Sequence, residues 1–184
     1  MFSGLEERLS IFYKLYGRHY IHIGIPDDMY YIVLSVLVAG CLIIFVNGKD
    51  KNTIIQRLSL LTLGLFVTLL YSSTVIYRDG SNETGVKWIP FWSYIAIMEG
   101  KSQLFLENLL NIIVFIPVGI LGAFAFPKQT FSKLVILAIT ISFFIEFSQF
   151  YYRKGLAEFD DVIHNTIGCL IGYFSVLRIV RKVD

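Results

Sequence analysis

Residues 143–168 read FFIEFSQFYYRKGLAEFDDVIHNTIG. Phe143, Phe144, Ile145 and Phe147 belong in hydrocarbon or in a deep core, yet Glu146 sits among them and Gln149 follows. Two adjacent acids, Asp160 and Asp161, then open a second apolar run that contains His164 and Asn165. An acid at the bilayer centre costs at least ~2.5–3.5 kcal/mol, so such groups face a cavity or one another. The stretch therefore reads as the end of one membrane span, a short turn and the start of the next, with polar faces turned from lipid.

The rest of the chain supports a membrane reading. Of 184 residues 55% are hydrophobic and 16% charged, and mean hydropathy is +0.66, outside the norm for a soluble domain. Spanning helices need roughly 20 mostly apolar residues. The runs predict an all-α membrane protein of about five spans, near residues 29–46, 58–77, 105–126, 131–150 and 161–177. They are too long, and alternate too little, for barrel strands. Residues 29–184 form one transmembrane domain, preceded by an aromatic and basic arm, 1–28, that is either an amphipathic interfacial helix or disordered. The mixed charge of MFSGLEERLS does not match a cleavable signal peptide.

The net charge of +2 comes with no basic stripe, so a nucleic-acid partner is not expected and the lipid bilayer is. Cys41 and Cys169 both fall inside spans without a CxxC spacing, and read as small buried residues. No metal or cofactor is expected. Asn82-Glu83-Thr84 is a formal glycosylation sequon that reads as a chance match.

The 16 Lys and Arg residues divide evenly between the two sides of a five-span chain. On one side they are packed into the short loops 47–57 and 127–133 and the tail 178–184. Short loops near span ends carry the positive-inside signal, so that side, with the C-terminus, is expected in the cytoplasm. Residues 1–28 and the loops 78–104 and 151–160 then face outward.

Spans three, four and five place their polar residues at one depth, near this outer surface. Asn108 and Asn111 open span three, Glu146 and Gln149 close span four, and Asp161, His164 and Asn165 open span five. Steps of three and four put Asn108, Asn111, Phe115, Gly119 and Gly122 on one helical face. Glu146, Gln149 and Arg153 form a second face if the helix extends that far. Asp161, Asn165, Gly168 and Gly172 form a third, and the glycines allow close helix approach. Asp160 reads as the cap of the fifth helix, leaving Asp161 to point elsewhere, and His164, one residue off the stripe, is expected to face the headgroups. Pro117 removes the hydrogen bond to the Ile113 carbonyl and is expected to kink span three. In the loop above, VKWIPFWSY reads as an interfacial aromatic hairpin, either an anchor or a lid.

The ordered series Ile89-Pro90-Phe91, then Asn111, Phe115, Pro117 and Gly119, then Glu146 and Gln149, then Asp161, Asn165 and Gly168 resembles the VanZ-like family of bacterial membrane proteins over roughly residues 55–177. That family commonly has an Arg a few residues before the aspartate motif. Here Arg153 and Lys154 lie further upstream and Gly155 stands nearer the place. The resemblance implies a role at the bacterial cell envelope, its founding members being linked to resistance against teicoplanin-type glycopeptides and lipoglycopeptides.

A binding role is expected first. The polar cavity of Asn111, Glu146, Gln149, Asp161 and Asn165, with Arg153 and Asn108 beside it, would hold a polar headgroup of a cell-wall lipid precursor or of such an antibiotic. The alternative is an intramembrane hydrolase or transferase with Glu146 and Asp161 as paired carboxylates. No convincing nucleophile or HExxH accompanies them. Transport ranks third, since neither an inverted repeat nor paired broken helices are evident. The sequence does not fix the oligomeric state.

Overall fold

A computed structural model describes residues 34, 36–41, 44, 50–81, 85–127 and 131–180. The described residues of the first predicted span, Leu34, residues 36–41 and Ile44, are helical. The arm 1–28 and the sequon lie outside the described residues.

Helix α1 runs Lys51–Tyr71 and continues as a π-helical turn, Ser72–Ile76. It starts earlier than the apolar run at 58 because Asp50 caps it, its carboxylate accepting from the Thr53 N–H at 2.8 Å. Strand β1 is Gly85–Lys87 and the short helix α2 is Trp92–Met98. Helices α3, Gln103–Ala125, and α4, Phe131–Tyr151, are followed by strand β2, Leu156–Glu158, and helix α5, Phe159–Val180. The described residues are predominantly helical, as the long apolar runs predict.

Among the described residues three stretches, Lys51–Ile76, Gln103–Ala125 and Phe131–Tyr151, are long and apolar enough to cross a membrane. Helix α5 is as long, at 22 residues, but its first two turns carry Asp160, Asp161, His164 and Asn165. Its apolar length is therefore confined to the second half.

Helix α4 answers the puzzle of residues 143–149. Phe143, Phe144 and Phe147 are more than half exposed, whereas Ser142, Glu146, Ser148 and Gln149 are buried. Greasy side chains point outward to where lipid lies and polar ones point inward, the reverse of a water-soluble helix.

The tightest contact is between α3 and α5, which run parallel. A Cβ at Gly168 would stand 2.0 Å from the Ile112 carbonyl oxygen, and one at Gly172 equally close to that of Ile116. A Cβ at Gly119 would stand 1.9 Å from the Cys169 carbonyl oxygen. Backbone touches backbone along this seam, which lipid-embedded helices need because dispersion packing must replace the hydrophobic effect. Pro117 lies within α3 without ending it. Phe115 and Val118, beside it, are fully buried with Cys169 in the core.

Beyond the span ends, β1 and β2 pair in parallel, Gly85 with Leu156 and Lys87 with Glu158. The two loops thus close over one end of the bundle. The segment read as an aromatic hairpin instead turns at Phe91, whose φ of 62° is left-handed, and enters α2. The pattern misled because the hairpin's partner strand is supplied by β2, far along the chain, not by the neighbouring residues.

Candidate functional site

The capped end of the bundle gathers the polar residues of α3, α4 and α5. Asn111 Nδ2 donates to Asp161 Oδ1 at 2.7 Å, linking the α3 and α5 stripes. Glu146 is buried on α4, and its Oε2 accepts the Glu158 backbone N–H at 3.0 Å. Glu146 and Asp161 are near enough to feel each other's charge. Asn165 Nδ2 donates to Ser142 Oγ at 2.7 Å, tying α5 to α4, and its buried Oδ1 has no partner among the described residues. Gln149 Nε2 reaches the Thr74 carbonyl in the π-helical turn at 3.3 Å. That turn widens the helix where an acceptor faces inward, a device frequent at functional sites.

A second network adjoins the first. The buried Asp160 carboxylate accepts from the backbone N–H groups of Phe91 and Ser93 and from Ser93 Oγ at 2.6 Å. It caps α2, not its own helix, which begins one residue before it. Asn108 Nδ2 completes the set with Ser93 Oγ at 3.0 Å. His164, expected among headgroups, is 2% exposed, and its Nε2 lies 2.9 Å from the Tyr94 hydroxyl. The reason is helical: Asp160 and His164 are four apart, so both point at α2 while Asp161 and Asn165 point at α3 and α4.

The cation at this site is one that sequence reasoning missed. Arg78 lies close enough to act on both Glu146 and Asp161. Its guanidinium passes over Gly155, where a Cβ would come within 3.3 Å of it. Arg153 has an exposed side chain and sits in the turn after α4 at φ 53°, its carbonyl accepting from Ser81 N–H at 3.1 Å. Helix α4 ends at Tyr151, so Arg153 leaves the Glu146–Gln149 face. The glycine at 155, where an Arg was looked for, was the signal: it makes room for a guanidinium from elsewhere.

Acids outnumber that cation. Glu158, outside the spans, is pushed up to about 8 by burial, with Asp161, Glu107 and Asp160 adding repulsion. Such a cluster has the chemistry to accept hydrogen bonds from hydroxyls and protonated amines, and to donate through Asn111, Asn165 and Gln149. Among the described residues no three His, Cys, Asp or Glu are grouped so as to hold a metal ion.

No solved structure matches the chain. Over 68 residues it is 34% identical to Protein VanZ of Enterococcus faecium, a stretch covering 37% of this chain and 42% of that protein. The chain thus spans less than half the length of that curated relative. The family model described as VanZ/LLP1 matches residues 58–181, which takes in α3, α4, α5 and the loops that cap them. With two thirds of its length so matched, and with the asparagine, glutamate and aspartate of the series meeting at one end of the bundle, the chain belongs to the VanZ-like family of membrane proteins.

Proposed function

We propose that the capped end faces out of the cell and binds the polar headgroup of a cell-wall lipid precursor or of a teicoplanin-type antibiotic, contributing to resistance or to envelope modulation. The observation that carries this reading is the gathering of Asn111, Glu146 and Asp161, from three helices, into one partly buried polar site. Amides and carboxylates there match sugar hydroxyls, peptide N–H groups and amines, and partial burial limits competition from water. Arg78 adds one positive group for a carboxylate or phosphate. Membership of the VanZ-like family favours the antibiotic context.

In a susceptible bacterial host, expression of the chain is expected to raise the teicoplanin concentration that stops growth. Asn111→Ala, Glu146→Ala and Asp161→Ala are each expected to remove that gain while the protein stays in the membrane at the parent level. Protection unchanged in all three variants overturns the reading.

The charge repulsion between Glu146 and Asp161 favours one second reading, acid/base catalysis on a lipid-linked substrate. Turnover of a labelled cell-wall lipid by the pure protein, lost in Glu146→Gln, would place it ahead of simple binding.

A further inference from the structure

Between β1 and α2 lies an open groove of about 600 Å³, apart from the polar site. Its floor and walls are Trp88, Ile89, Trp92 and Ile95, and its rim carries Lys87, Lys101 and Glu99. Trp88 is 67% exposed and Ile89 68%, so the groove's apolar wall is open to the surroundings. The groove's depth in the membrane follows from the chain: Lys101 stands just before α3, which begins at Gln103 and is one of the three apolar stretches. It therefore sits at headgroup level, where Trp and Lys side chains concentrate.

Two further observations say what occupies it. The rim is cationic on balance, two lysines against one glutamate, and Lys87 Nζ stands 5.2 Å over the Trp92 ring, holding its charge at the groove. The groove is also built, since the Asp160 carboxylate fixes the backbone of Phe91 and Ser93 and with it the start of α2. We infer that this groove seats an anionic phospholipid of the adjoining leaflet, its phosphate between Lys87 and Lys101 and the upper part of its acyl chain against Trp88, Ile89 and Ile95. The proposal does not rest on what the Asn111–Glu146–Asp161 cluster binds.

The test uses the full chain reconstituted in phosphatidylcholine vesicles containing brominated lipid. The sequence has two tryptophans, Trp88 and Trp92, both in this segment, so emission excited where tyrosine does not absorb reports on the groove alone. Brominated phosphatidylglycerol is expected to quench several-fold more than brominated phosphatidylcholine at the same mole fraction, as the attraction of lysines to anionic headgroups requires. The difference is expected to vanish in the double variant Lys87→Gln, Lys101→Gln, whose helicity by circular dichroism stays at the parent value. Trp88→Phe is expected to remove most of the quenched emission. Equal quenching by the two lipids, quenching by aqueous iodide and not by either lipid, or a preference that survives the double variant overturns the proposal. So does relief of phosphatidylglycerol quenching by millimolar inorganic phosphate, which would mark a site for soluble anions.

Discussion

Single residues here carry charges whose environments differ sharply over a few positions. Asp160 is satisfied by three donors from the start of α2, Asp161 by one amide from α3, and Glu158 faces other acids. An acid whose folded pKa is raised binds its proton more tightly in the folded state, so its contribution is most favourable below the unfolded value and is lost as pH rises to the folded one. For Glu158 that window runs from its ordinary 4.5 to about 8. Thermal unfolding in detergent is expected to show the parent losing stability from about pH 5 to about pH 8, with Glu158→Gln losing less. A parallel fall in both proteins would mean that Glu158 is not the responsive group. At this scale the sequence was legible where partners share a helical spacing. Asn111 and Asp161 stand on faces set by steps of three and four, and they bond. Arg78 and Ser93 were illegible, because neither of them stands on the polar stripes of three and four that marked the other residues.

At the scale of elements, the glycine seam decides how α3 and α5 meet. Gly168→Ala or Gly172→Ala forces a methyl group into a carbonyl of the neighbouring helix. Overpacking of this kind costs ~1–3 kcal/mol where the structure can shift and more where it cannot. Gly64, in α1, has nothing within 4 Å of its added Cβ, so Gly64→Ala is the control. It is expected to be neutral or to stabilise by ~0.5–1 kcal/mol through helix propensity. Thermal unfolding of the three variants in one detergent checks both statements. An equal effect at Gly64 and Gly168 would remove the seam from the account. The spans were readable from hydropathy because lipid demands long apolar runs. Their polar extensions were not: Asp50 starts α1 ahead of its apolar run, and α2 depends on a carboxylate 67 residues away.

At the scale of the whole molecule, the described residues form a bundle, and at one end of it β1, β2 and α2 close over the polar groups. The positive-inside signal of the opposite loops predicts that this end faces outward. A phosphatase fused to the C-terminus is expected to be inactive in cells, and a fluorescent protein fused there to fold and fluoresce. The converse pair of results would invert the topology and, with it, the side on which the polar cluster lies. Orientation is also why the fold and the family were easier to read than the ligand. Burial and periodicity are properties of the chain, whereas a ligand is a property of the compartment the site opens into.

The link between Phe91 and Asp160 has a consequence for biogenesis. Its two ends are 69 residues apart, so the Phe91–Met98 segment leaves the ribosome well before the carboxylate that holds it. At ~5–20 residues per second, the wait is several seconds at least. During it α3 and α4 are made and inserted, while α2 has neither its cap nor β1 its partner strand. The site is therefore assembled last and all at once, when the first turn of α5 arrives. A ribosome stalled shortly before residue 159 would hold a chain that lacks both the carboxylate that fixes the start of α2 and the one that bonds Asn111.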